Sequence, residues 1–182
     1  MVDFITFEDL RRFNDALTME RRVALKSHSA SKNNKDTFLS HSSKDEEYLP
    51  SVIHLLESHG ASVYCDLGDD RLPVNPNPET ALILKKQIKV SRKQVVFITK
   101  NSQNSKWVPW ELGIGDIYLS SRNVALLPVT TNKNDQSWAQ QEYLGLYRHI
   151  VWGQLDGFSS NLWLVYDYRT NTAERLNDWL AS

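Results

Sequence analysis

The chain has 182 residues, with 21 Lys and Arg against 22 Asp and Glu and a single cysteine, Cys65. That length holds one well-buried core and is short for two ordinary domains, and the near-neutral charge supplies no global field to attract nucleic acid or an anionic membrane. One cysteine excludes an internal disulfide framework and the multi-cysteine zinc patterns, so the chain reads as cytoplasmic with a buried thiol; no apolar run is long enough to span a membrane, and the N-terminal segment, which contains acidic residues and lacks an uninterrupted apolar core, does not read as a signal peptide.

In chain order, Phe7, Leu10, Phe13 and Leu17 recur at helical spacing behind Thr6 and Asp9, which have the spacing of a capping box, so residues 6–26 are predicted as one amphipathic helix. The polar stretch 27–35 reads as a linker. The boundary is placed there: 1–35 an N-terminal helix and linker, 36–182 the main domain.

The main domain alternates. A short strand over 36–41 precedes a helix over 44–59, which Gly60 stops. A strand over 61–66 leads into a proline-rich loop over 67–78, then a helix over 79–90 and a β-branched strand over 94–99. A polar loop over 100–105 opens a helix over 106–120, followed by a strand over 124–130. Residues 132–145 are polar with one short helix, 149–152 a fifth strand, 162–168 an edge strand and 172–180 a terminal helix. Such alternation predicts a parallel sheet with helices on both faces, because parallel strands need crossover connections.

In open sheets of this kind ligands bind beyond the carboxyl ends of the strands. Three loops qualify: Ser40 to Asp45 (SHSSKD), Asp66 to Pro73 (DLGDDRLP) and Ser105 to Glu111 (SKWVPWE). Trp107 and Glu111 are four residues apart and so share a helix face, which can aim an aromatic wall and a carboxylate into one cleft. Each residue also has a plainer reading. Glu111 suits a helix N-terminus through the macrodipole, Ser42, Ser43 and Lys44 suit a helix cap, and Asp66 suits a turn. Arg71 is the basic residue best placed for a pyrophosphate, and equally suits a solvated surface.

FLSHSSKD at the first strand, VYCD at the second, VVFIT at the third and then S-x-W-x-x-x-E opening a helix occur in an order that resembles the Toll/interleukin-1 receptor (TIR) domain family, above all its bacterial members. The resemblance covers roughly residues 36–129. It implies a flavodoxin-like α/β domain with a five-stranded parallel sheet, and either of two activities: cleavage of NAD+ at the nicotinamide ribosyl bond, or a purely adaptor role. For the enzyme it implies Glu111 as the catalytic carboxylate, Trp107 in the wall of the nicotinamide ribose pocket, and Ser40 with the following loop near the dinucleotide.

With the loop residues above, the expected site is catalytic Glu111 with substrate-binding Ser40, His41, Ser43, Asp66, Arg71 and Trp107, no metal, and no cofactor beyond NAD+ as substrate. His41 stands where many members have Tyr, the loop at Asp70 to Pro73 lacks the glycine of the animal adaptor signature, and Pro109 requires the W-x-x-x-E element to sit in a first helical turn. The implied function is an NAD+ glycohydrolase or ADP-ribosyl cyclase of antiphage defence. Its partners would be NAD+, further copies of itself through TIR surfaces, and a separate effector that senses the product, with neither nucleic acid nor membrane. The alternatives are a non-catalytic TIR interaction module and another nucleotide N-glycosidase of deoxyribosyltransferase type.

Overall fold

The computed structural model describes residues 2–30, 35–73, 77–132 and 142–182. In chain order it forms β1 (Val2–Asp3), β2 (Ile5–Thr6), α1 (Phe7–Ala16), α2 (Met19–Ser29), β3 (Thr37–Ser40), α3 (Leu49–Ser58), β4 (Val63–Tyr64), α4 (Pro78–Val90) and β5 (Lys93–Ile98). There follow α5 (Lys100–Gln103), α6 (Trp107–Leu119), β6 (Val124–Thr130), β7 (Arg148–Gly153), β8 (Leu162–Asp167), β9 (Thr172–Arg175) and α7 (Leu176–Ala181).

The sheet runs β4-β3-β5-β6-β7-β8-β9. Its first five strands are mutually parallel, and their order, second-first-third-fourth-fifth along the main domain, is that of flavodoxin-like folds. The antiparallel β8 and β9 extend it. β3, β5 and β6 are buried at every residue, as expected of strands covered on both faces. On one face, Leu39, Val95 and Phe97 pack with Leu10, Val52, Leu56 and Trp179, which belong to α1, α3 and α7. On the other, Phe38 and Tyr64 meet Leu84 and Ile88 of α4, while Val96 and Ile98 meet Val108 and Leu112 of α6.

Several expectations are corrected. The single helix over 6–26 is two helices behind two short strands. The Thr6 capping box starts α1 as read, but Leu17 is extended and Thr18 caps a second helix through its bond from the Arg21 amide. The 100–105 loop contains a helical turn, because the Thr99 hydroxyl accepts bonds from the Asn101 and Ser102 amides. Residues 172–180 begin as a strand, held by an ion pair between Glu174 and Arg148, and β8 is therefore not an edge. The second strand of the main domain spans two residues. The short helix expected within 132–145 falls mostly on residues outside those described, and a 3-10 turn covers Glu142–Leu146.

The N-terminal segment shares the core. Ile5, Leu10 and Leu25 are all but fully buried in it, and the Ser51 hydroxyl donates to the Leu10 carbonyl at 2.8 Å. β2 pairs with β6 at Val129 and Thr130, and β1 pairs with β7 at Gly153 and Trp152. The segment thus occupies the gap opened where β6 and β7 part. At the far edge of the sheet, the Ser29 carbonyl accepts a bond from the Cys65 amide just past β4.

Candidate active site

Because β3, β4 and β5 are parallel, their carboxyl ends deliver Ser40 and His41, Cys65 and Asp66, and Thr99 to one rim. Here the strand order changes direction, leaving a crevice. The 3-10 turn Ser43–Tyr48 follows β3 and is fastened across the crevice by buried Asp45, which accepts bonds from Thr99 Oγ1 at 2.7 Å and Asn101 Nδ2 at 2.6 Å. α6 starts at the same rim, where Ser105 Oγ accepts bonds from the Trp107 and Val108 amides. Pro109 is its third residue, so its missing N–H leaves no helical bond unmade.

The result is a cleft of about 430 Å³, within the range of small-molecule sites. Its walls include His41, Ser43, Asp66, Trp107 and Glu111, with Leu72, Thr80 and Asn104. Of the residues expected from the sequence, those five meet there. Ser40 lies just beneath, 1 % exposed. Arg71 does not join them: both its amide and its guanidinium bond Asp69, and the guanidinium stacks 5.8 Å from the Tyr64 ring. It lines a separate depression with Glu79 and Lys86. Trp107 makes an edge contact with Trp110, their centroids 5.4 Å apart, and both pack against the cluster of Phe38, Tyr64, Leu84 and Ile88.

Glu111 is 3 % exposed. Burial, followed by the charge of Asp66, pushes its carboxyl up to about 8, against the opposing influence of the Ser40 hydroxyl and His41. His41 Nδ1 lies 3.4 Å from Asp66 Oδ1 and 3.8 Å from Cys65 Sγ. Burial works against a charge on this ring, but Cys65, Asp66 and Glu111 outweigh it and raise it to about 10. The cleft therefore holds a carboxyl poised near neutrality beside an imidazolium, an arrangement typical of groups that handle charge or protons in a reaction.

Sequence reasoning missed Gln94. It is wholly buried, and its amide nitrogen donates to Ser40 Oγ at 2.8 Å and to the Glu111 carbonyl at 3.0 Å. It thus ties the end of β3 to the turn of α6 that bears Glu111. Room for it comes from Gly115, where a Cβ would fall 1.5 Å from Gln94 Oε1. The signal was a lone glutamine in the otherwise apolar run QVVFI. Cys65 and Asp45 were also passed over as site components.

A second cavity, about 270 Å³, lies under the N-terminal segment, walled chiefly by Phe4, Phe13, Trp152 and Trp163. Its Asp9 is engaged in the Thr6 capping box. No helix among the described residues is long and apolar enough to cross a membrane.

The chain is 33% identical over 148 residues to "Probable 3′ cyclic ADP-D-ribose synthase ThsB′" of Bacillus cereus (strain MSX-D12), covering 80% of this chain and 75% of that protein. It is 35% identical over 80 residues to "Putative cyclic ADP-D-ribose synthase TIR2" of Cytobacillus dafuensis, covering 42% of this chain and 21% of that protein. It is 34% identical over 87 residues to "Probable 2′ cyclic ADP-D-ribose synthase TcpO" of Methanobrevibacter olleyae, covering 47% and 24% respectively. The family model for the TIR domain matches residues 37–162, a span that contains every strand end and helix around the cleft. The chain belongs to the TIR domain family.

Proposed function

We propose that this protein cleaves NAD+ at the bond between nicotinamide and ribose and closes the remainder into a cyclic ADP-ribose, with Glu111 as the catalytic carboxylate. The observation that carries the reading is a carboxyl buried at the floor of the cleft, beside Trp107, with its pKa raised toward the working range. Relatives named as cyclic ADP-D-ribose synthases support it.

In the first step the C1′–N1 bond breaks and its electron pair passes to the pyridinium nitrogen, releasing neutral nicotinamide. No general acid is needed for that leaving group. The ribosyl fragment gains oxocarbenium character, which an adjacent Glu111 carboxylate stabilises in a site shielded from water. The cationic pyridinium itself favours ionisation of Glu111 on binding. In the second step a hydroxyl adds to C1′ and its proton passes to Glu111. If that hydroxyl belongs to the adenosine end of the same molecule the product is cyclic; if it is water, the product is ADP-ribose. Trp107 supplies the wall against the nicotinamide ribose, and Ser40, His41, Ser43 and Asp66 border the rest. Arg71, held by Asp69, is not part of this set.

Following the same reading, the protein works in the cytoplasm as a self-associating enzyme of antiphage defence, and its product is a signal for a separate effector. The test is incubation of concentrated protein with NAD+, alone and with extract of phage-infected cells, followed by mass analysis. Nicotinamide and an ADP-ribose-derived species are expected with the native protein and not with Glu111→Gln. Survival of NAD+ under both conditions would leave the adaptor role as the better account, and cleavage of deoxynucleosides in its place would favour the deoxyribosyltransferase-type alternative.

A further inference from the structure

Three potential metal ligands converge at the rim of the cleft from two paired strands. His41 follows β3, while Cys65 and Asp66 follow β4, which ends at Tyr64 and so releases its next two side chains from the alternation of a strand. One donor atom from each of the three lies within 4.8 Å of the others. A tetrahedral ion with bonds of about 2.0–2.1 Å to nitrogen and oxygen and about 2.3 Å to sulfur would set nitrogen and oxygen about 3.3 Å apart and nitrogen and sulfur about 3.6 Å apart. The observed separations are 3.4 Å for His41 Nδ1 to Asp66 Oδ1 and 3.8 Å for His41 Nδ1 to Cys65 Sγ. These two separations come close to the edge lengths of such a tetrahedron, and the third, between Cys65 Sγ and an Asp66 oxygen, is within 4.8 Å.

We propose that His41 Nδ1, Cys65 Sγ and a carboxylate oxygen of Asp66 bind a divalent ion of the zinc type, with the fourth position open to the cleft, and that the bound ion inhibits turnover. Thiolate and imidazole together select zinc and its neighbours over magnesium or calcium, which take oxygen ligands. Cys65 is fully buried and the His41 side chain is 4 % exposed, whereas that of Asp66 is 32 % exposed, so an ion enters from the Asp66 side. Burial of Cys65 also favours a ligand over a nucleophile, since a substrate in the cleft cannot reach its sulfur. The ion takes a thiolate and a neutral imidazole nitrogen as ligands, so binding displaces to solvent whatever protons those two atoms carry. The ion would then hold His41 and Asp66, two walls of the cleft, in one arrangement and occupy the space next to Glu111. The inhibitory part rests on the NAD+ reading; the binding part does not.

The test is titration of the intact chain with Co2+ as an optically active stand-in, followed by competition with Zn2+. One equivalent should produce the intense visible bands of tetrahedral cobalt and a near-ultraviolet thiolate-to-cobalt charge-transfer band, both erased by Zn2+. Cys65→Ala should abolish the charge-transfer band, and Asp66→Asn, at a partly exposed position that leaves the core intact, should weaken binding about tenfold or more. Absence of the thiolate band at saturating Co2+, or its persistence in Cys65→Ala, overturns the site. With NAD+ as substrate, one equivalent of Zn2+ should suppress turnover and a chelator should restore it; undiminished turnover with the ion bound would refute the inhibition alone. Because cobalt absorption needs no substrate, failure of the NAD+ reading leaves the binding result standing.

Discussion

Two buried acids of this protein have been driven in opposite directions. Glu111 in the cleft and Asp167 at the end of β8 are 3 % and 5 % exposed. Asp167 receives two side-chain bonds from Arg169 at 3.0 and 2.8 Å and a third from its amide, with Arg148 3.8 Å away. The Arg169 bonds, outweighing burial, hold its pKa down to about 2. Glu111 has no arginine partner among the described residues. It faces Asp66, and burial lifts it to about 8. Burial alone therefore says little about the state of a carboxyl; the partners separate an acid that Arg169 holds ionised from one whose charge burial and Asp66 oppose.

The largest test of that contrast is Glu111→Gln, expected to lower turnover by about 10²–10³-fold or more while leaving the protein folded. The sign of its stability effect follows from the raised pKa. Stability from Glu111 is fully present below its ordinary value of 4.5 and is lost as pH rises through about 8. The amide should then stabilise increasingly across that window, by on the order of a few kcal/mol at its upper end, read as a melting-temperature gain at pH 8 that vanishes at pH 4. Loss of stability at both pH values would mean that Glu111 is structural after all.

Next in size is the pH profile. If the ionised Glu111 is the working form, kcat/KM should fall about tenfold per unit as pH drops below about 8 and level off above it; a flat profile between pH 6 and 8 would contradict this. Gly115→Ala should displace Gln94 and loosen the Glu111 turn, costing about 1–3 kcal/mol by overpacking together with a fall in kcat that exceeds any change in KM. Asp167→Asn should do the reverse of Glu111→Gln. It should cost about 1–2 kcal/mol near neutral pH, discounted because Arg169 is half exposed, and leave turnover at its native level. Since Asp167 is depressed, that stability is present above its ordinary 3.8 and lost as pH falls through about 2, so the penalty in the variant should disappear in acid.

The site was legible where chemistry and local periodicity coincide. Trp107 and Glu111 are one helical turn apart, so their shared face follows from spacing alone. The strand ends carrying Ser40, His41 and Asp66 could be placed because parallel order forces those ends to one rim. Of the two readings open for Arg71, the surface one fits its position for a physical reason: an arginine two residues after an aspartate forms a local fork with it, and the bond from Tyr64 to Asp69 at 2.6 Å fixes that fork. Gln94 was hidden because its role depends on a space left by Gly115, which is distant in sequence. The break at Leu17 escaped because the apolar rhythm of α1 runs on through the interruption. β9 escaped because TAER has little strand character, and its pairing depends on Arg148 and on β8.

The wedge of Val2–Thr6 between β6 and β7 has a consequence for the order in which the chain becomes structured. Its hydrogen-bond partners lie more than a hundred residues downstream, at Val129, Thr130, Trp152 and Gly153. During synthesis β1 and β2 leave the ribosome well before these partners, and the pair can be fully seated only after β7 has emerged. Contacts of such sequence separation close late because the intervening loop must be paid for in entropy first. Val2–Thr6 would thus act as a keystone set last, and protection of its amides from hydrogen exchange should lag that of β3 and β5 during refolding.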